Sequence, residues 1–140
     1  MKKEDFTHNL IQIAFCSIVC DSYIDKTEVE KLKEITEKDF YFEGFSLSNN
    51  IQSLEEDFSI RGLLLVNEIL NNQLTLGYSE SQKLIIIETV IGIIKADAII
   101  EQSEIDFTNR LIINLRIPSE VIRSRFGEWQ SLSNDKLKDN

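Results

Sequence analysis

The sequence is poor in residues that break helices. It has five glycines and a single proline, Pro118, among 140 residues. This scarcity disfavours a turn-rich β architecture and predicts an all-α fold. The apolar fraction of 42% beside 28% charged residues is ordinary for a globular protein, and the length fits one domain with a real core.

Cysteine is scarce as well, with only Cys16 and Cys20 present. The two thiols are one helical turn apart, which is poor geometry for a disulfide. No second cysteine pair exists to complete a soft-metal site. We interpret both cysteines as small buried apolar residues in a reducing compartment, which predicts a cytoplasmic location.

Catalytic motifs are missing. The sequence has no glycine-rich phosphate loop, no histidine besides His8 and no convincing nucleophile–base pair. We therefore predict that the chain is not an enzyme.

Long apolar runs are also missing, because none approaches the ~20 residues that a membrane-spanning helix needs. The longest, Leu84 to Ile94, is interrupted by Glu88 and Thr89. Its β-branched residues would suit a strand, but its length favours a buried helix.

Positive charge is in deficit. Asp and Glu outnumber Lys and Arg by 24 to 15, which gives a formal net charge of −9. A chain of this charge repels phosphate backbones, so we exclude nucleic acid as a partner. Basic proteins and cations are the electrostatically favoured partners, and homo-oligomerisation is left open.

An internal repeat is the most informative feature present. The eight residues from Asp21 to Glu28 read DSYIDKTE, and those from Asp97 to Glu104, 76 positions later, read DAIIEQSE. Each copy follows an apolar run and precedes a charged helical pattern, so the repeat predicts helix, acidic turn, helix, used twice. The apolar stretch before the second copy is internal, so we expect its N-terminal counterpart to be retained rather than cleaved as a secretory signal.

Hydrophobic periodicity divides the chain into about six to seven helices. Two of them, from about Glu4 to Cys20 and from Ser79 or Ser81 to about Ala96, are apolar on nearly every side and are predicted to be central. We expect residues 1–127 to form a single helical-bundle domain and residues 128–140 to form a polar tail.

Serine and threonine residues mark the predicted helix starts. Thr27 and Ser103 are expected to cap the helices after the two turns, and Ser48 and Ser59 to cap two helices between them. The Ser59 helix is expected to bury a broad apolar face made of Ile60, Leu63, Leu64, Val66, Ile69 and Leu70.

The two turns carry six carboxylates that are candidate ligands of Ca²⁺ or Mg²⁺, because these cations bind clustered oxygen atoms. The spacing is not that of an EF-hand, since Tyr23 and Ile99 stand where that loop needs acidic or amide side chains. The alternative is structural, in which the carboxylates complement helix dipoles and close the turns. The candidate metal ligands are Asp97, Glu101, Glu104, Asp21, Asp25 and Glu28.

The second copy resembles the signature of the TerB-like family, small all-helical modules named for tellurite resistance. That signature is an apolar helix, Ala-Asp-Gly, an aliphatic residue after a two-residue gap, and a glutamate at a helix start. The residues from Lys95 to Glu104 resemble it, those from Val19 to Ile24 form a weaker copy, and the resemblance spans about residues 8–126. The family glycine is Ser22 in one copy and Ala98 in the other.

The resemblance implies a helical bundle with two central apolar helices and acidic turns discussed as divalent-metal sites. It further implies a partner role in a stress-linked or membrane-associated complex, without established catalysis. The competing hypothesis is an acidic inhibitor or immunity-type protein that neutralises a basic partner. That hypothesis predicts exposed aromatic side chains, such as Tyr41 or Trp129, grouped with carboxylates on one face.

Overall fold

A computed structural model describes residues 2–21, 26–38, 47–73, 75–95, 99–127 and 129. These residues form α-helices and contain no strand, so the predicted all-α bundle is confirmed. The helices in chain order are α1 (Lys3–Val19), α2 (Lys26–Lys38), α3 (Leu47–Arg61), α4 (Leu63–Asn72), α5 (Glu80–Ile94), α6 (Gln102–Asn114) and α7 (Ser119–Arg125).

Helices α1 and α5 form the centre of the bundle and make its most extensive helix–helix contact among the described elements. Leu10 and Phe15 of α1 and Ile86 and Ile93 of α5 are fully buried. The strand alternative for α5 fails because the segment begins at a complete capping box. Gln82 N–H donates to the Ser79 hydroxyl over 3.2 Å, and Ser79 N–H donates to the Gln82 side chain over 2.9 Å.

The helices that follow the two acidic turns have equivalent bounds. Shifting α2 by the 76 positions that separate the sequence copies gives the bounds of α6, from residue 102 to residue 114. Helix α2 packs against α5 as well as α1, and α6 packs against α1 as well as α5. The shorter helix of each copy therefore covers the central helices of both.

The predicted N-caps Thr27, Ser103, Ser48 and Ser59 are wrong, because each lies inside a helix rather than before it. Helices α2 and α6 begin one residue before the predicted cap, and α3 begins at Leu47. The hydroxyl of Ser59 donates to the carbonyl of Glu56 over 2.7 Å, a bond within the helix. Serine and threonine form such bonds to preceding carbonyls as readily as they cap, so sequence alone misplaced these starts.

Gly62 separates α3 from α4. Its φ of 57° and ψ of −137° form a backbone conformation that favours glycine. The buried side chains of α3 are Ile51 and Leu54, and those of α4 are Leu65, Val66, Ile69 and Leu70. The predicted apolar face of this region is therefore wrong in part, because its members Ile60, Leu63 and Leu64 are exposed.

The C-terminal part of the described chain ends on two buried side chains. Helix α7 begins at Ser119, directly after Pro118, and its Ile122 packs into the core. Trp129 falls inside the segment predicted to be a polar tail, yet it is only 1% exposed and belongs to the core.

Membrane insertion has no candidate helix in the part of the chain that the structure describes. None of those helices combines the length and the apolar character that crossing a bilayer requires.

Two adjacent leucines of α4 provide a matched test of this fold. Leu65 is 4% exposed and Leu64 is 71% exposed. We expect Leu65→Ala to lower the free energy of unfolding by about 2–5 kcal/mol, because it leaves a cavity in the core. Leu64→Ala should change it by less than about 0.5 kcal/mol. Urea unfolding followed by circular dichroism measures both, and similar losses in the two variants would contradict the packing of α4.

Candidate functional site

Four of the six predicted ligand residues lie among the described residues. Asp21 follows the end of α1, Glu28 lies in the first turn of α2, and Glu101 and Glu104 lie at the start of α6. Asp25 and Asp97 lie outside the described residues.

Glu28 and Glu104 occupy equivalent places in the two copies and are both buried. Glu28 is 3% exposed and Glu104 is 4% exposed. A buried carboxylate is costly unless hydrogen bonds or positive charge compensate for its lost hydration. The start of a helix supplies both compensations, because its free N–H groups and its dipole face the carboxylate.

Glu104 shows this compensation in atomic detail. Its Oε1 accepts a hydrogen bond of 2.9 Å from the backbone N–H of Glu101, the residue that precedes α6. Its Oε2 is buried and has no hydrogen-bond partner among the described residues. Glu101 itself is exposed, so it contributes a backbone donor rather than a buried carboxylate.

The thiol of Cys20 is influenced by residues of both copies of the repeat. Burial, followed by the negative charges of Asp21, Glu104 and Glu28 in that order of effect, raises its pKa from an ordinary 9.0 to about 12. A hydrogen bond with the Ser103 side chain acts in the opposite direction. Carboxylates from both copies therefore act on one thiol, although 76 positions separate the copies in sequence.

This arrangement brings charges together without assembling a complete ligand set. Among the described residues, which exclude Asp25 and Asp97, no group of three or more acidic, histidine or cysteine side chains is placed to hold a metal ion. Ca²⁺ and Mg²⁺ take at least six oxygen ligands, many of them water. The described carboxylates could supply only part of such a shell.

The thiols have little nucleophilic capacity at neutral pH. The thiolate is the reactive form, and a pKa of about 12 keeps Cys20 protonated. Cys16 is fully buried, and burial also raises the pKa of its thiol. His8 is exposed, as expected, and its ring lies 3.2 Å from the side-chain nitrogen of Gln12.

A groove beside Cys20 is absent from the sequence-based expectations. It encloses about 280 Å³ between α4 and α6, and Leu63, Phe107 and Arg110 are among its lining residues. Sequence reasoning missed it because its walls come from helices far apart in the chain. One sequence signal could have revealed it. Helix α4 has more apolar residues than a single buried helix face can hold.

The raised thiol pKa predicts how stability depends on pH. Above pH 9 the unfolded chain loses the Cys20 proton, while the folded chain keeps it up to about pH 12. The stabilisation that the protonated Cys20 thiol gives the folded state is complete below pH 9. Above pH 9 the free energy of unfolding falls by up to about 1.4 kcal/mol per pH unit for this thiol.

We expect Cys20→Ala to make the alkaline decline shallower between pH 9 and 12, measured by urea unfolding at a series of pH values. Tyr78, whose pKa burial also raises, contributes to the decline equally in both proteins. Ser124→Ala, an exposed substitution on α7, serves as the control and should keep the original slope. An unchanged slope in Cys20→Ala would contradict the environment assigned to this thiol.

Comparison with known proteins identifies no relative. No protein-family model, curated protein or solved structure matches this chain. The resemblance to the TerB-like family accordingly stays a prediction, which depends on the signature from Lys95 to Glu104 and its weaker copy.

Proposed function

We propose that this chain is a non-catalytic cytoplasmic module of the TerB-like type. It binds another protein in a stress-response setting and binds a divalent cation weakly at its acidic turns. The observation that carries the proposal is that buried Glu28 and Glu104, one from each copy of the repeat, both act on the thiol of Cys20. A site shared by the two acidic segments would need both copies of the repeat.

The absence of catalysis is supported by the state of the side chains. The Cys20 thiol is protonated at neutral pH, because its pKa is about 12. His8 is exposed and lies beside Gln12 on the same helix. These residues supply packing and charge rather than chemistry.

Weak cation binding is supported by the unsatisfied oxygen of Glu104. Its Oε2 is buried without a hydrogen-bond partner in the described part of the chain. Native proteins leave few such atoms unsatisfied, and a cation or an ordered water is a common explanation. Asp97 and Asp25, which belong to the same turns in sequence, are the further ligands that the proposal requires.

Melting in the presence of metal tests the cation. We expect millimolar Ca²⁺ or Mg²⁺ to raise the melting temperature, since a ligand at ten times its Kd stabilises the folded state by about 1.4 kcal/mol. The double variant Asp97→Asn with Glu104→Gln should lose this rise. Glu88→Gln with Glu120→Gln, which removes two exposed carboxylates elsewhere, should keep it. No rise in the unmodified protein would refute cation binding.

The protein partner is tested separately. We expect affinity capture with the full chain, followed by calorimetry on the purified captured protein, to give a saturable complex of defined stoichiometry. The same measurement at several salt concentrations reports on charge, because contacts between exposed charges weaken as salt screens them. Failure of every captured protein to bind in calorimetry would contradict the interaction role.

The second candidate is an acidic inhibitor or immunity-type protein. It is favoured by helices α3 and α4, which carry four carboxylates and the single basic residue Arg61. It is weakened by Trp129, a predicted aromatic anchor that is buried in the core rather than exposed. Tyr41, the other predicted anchor, lies outside the described residues. Inhibition of a basic enzyme by the captured complex would favour this candidate.

A further inference from the structure

Three large aliphatic side chains stand outside the core around Gly62. Ile60 is 84% exposed at the end of α3, and Leu63 and Leu64 are 43% and 71% exposed at the start of α4. Isolated exposed aliphatic residues are normal on protein surfaces, but a contiguous group marks an interaction site. We call these three residues the apolar elbow.

The apolar elbow continues into the groove between α4 and α6. Leu63 belongs to both, and Val66, Leu70 and Phe107 add further apolar lining. Ser103, Asp106, Asn67 and Arg110 give the groove a polar rim. The result is an apolar strip with hydrogen-bonding groups along its edge.

The far end of the groove is held by polar contacts between the two helices. Arg110 donates to the side-chain oxygens of Asn67 over 2.9 Å and Asn71 over 3.3 Å. Asn114 donates to the carbonyl of Leu70 over 3.2 Å. These hydrogen bonds fix the separation of α4 and α6, so the groove is part of the folded structure rather than a gap that collapses.

Helices α3 and α4 carry net negative charge. They have four carboxylates, Glu55, Glu56, Asp57 and Glu68, against the single basic residue Arg61. Arg61 is itself neutralised by ion pairs with Asp57 at 3.4 Å and with Glu68. Glu55 and Glu56 on α3 are exposed. On the groove rim the charges of Asp106 and Arg110 balance, so a ligand meets apolar side chains beside the excess carboxylates of α3.

These properties select one kind of occupant. A volume of about 280 Å³ is at the lower limit for a small-molecule pocket, and it suits side chains that enter from a larger partner. An anionic lipid surface would be repelled by the carboxylates, and a second copy would bring the same negative charge. An amphipathic helix inserts aliphatic residues into such grooves, and basic residues on its flanks complement the exposed carboxylates of α3.

We propose that the apolar elbow and the adjoining α4–α6 groove form a docking surface for a basic amphipathic helix of another protein. The inference rests on the proposed function in so far as the chain binds a protein. It goes further by assigning the surface and the chemistry of the partner. The aliphatic face of the partner helix covers Ile60, Leu63 and Leu64, and its basic residues lie over the exposed carboxylates of Glu55 and Glu56.

The probe is a fluorescein-labelled synthetic helix with leucine on one face and lysine on the other, titrated with the full chain by fluorescence anisotropy. We expect saturable binding that weakens at least about tenfold in Leu64→Asp, the loss of one well-placed anchor. This substitution adds negative charge, which by itself would strengthen binding of a cationic peptide. A loss of affinity therefore reports the loss of the apolar contact. An analogue with glutamate in place of every lysine should bind at least about tenfold more weakly.

Ile113→Asp is the matched control. Ile113 is 73% exposed on α6 and does not line the groove, so the variant gains the same charge elsewhere and should bind as tightly as the unmodified chain. Thermal unfolding of both variants checks that they fold. Equal affinities of Leu64→Asp and Ile113→Asp would overturn the proposal, because binding would then follow net charge alone.

Two other occupants would also overturn the proposal. One outcome is a dimer of the unmodified chain that Leu64→Asp dissociates in analytical ultracentrifugation. The other is binding to phosphatidylglycerol vesicles that Leu64→Asp abolishes. The proposed function fails separately, through the absence of any captured partner. If a captured protein binds Leu64→Asp as tightly as the unmodified chain, the docking surface is wrong and the interaction role stands.

Discussion

The packing of α1 against α5 is the contact on which the rest of the structure depends. Both helices are apolar around most of their circumference, and neither could remain in water without the other. Helices α2 and α6 pack on this pair, and each of them contacts both central helices. Glu28 and Glu104, in the first turns of α2 and α6, are accordingly buried, and both raise the pKa of the Cys20 thiol.

The sequence predicted features that depend on long patterns. The apolar helices and the all-α class follow from periodicity sustained over many residues, and Ser79, one of two predicted starts of α5, is its N-cap. Single-residue inferences were less reliable. Thr27 and Ser103 have good capping chemistry, yet the helices begin before them, and Ser103 instead hydrogen bonds with Cys20. The local preference of a serine or threonine does not tell whether its side chain caps a helix or bonds to a residue far away in the sequence.

The candidate site was only partly visible for the same reason. Glu28 and Glu104 could be identified from their repeated spacing, but their burial and their common neighbour Cys20 depend on how α2 and α6 lie across the central helices. The proposed docking surface was harder to foresee. Leu64 and Leu65 are adjacent and chemically identical, and their positions around the helix decide which one enters the core. Every residue from 63 to 66 is apolar, so this stretch of sequence does not mark its own buried side.

The exposure of the aliphatic residues beside Gly62 has an evolutionary consequence. Ile60 and Leu64 face solvent and contribute little to the packing of the core. In the docking that we propose, mutations at these positions change the choice of partner while folding is left intact. Duplicated copies of such a gene could then acquire new partners without first passing through unstable intermediates.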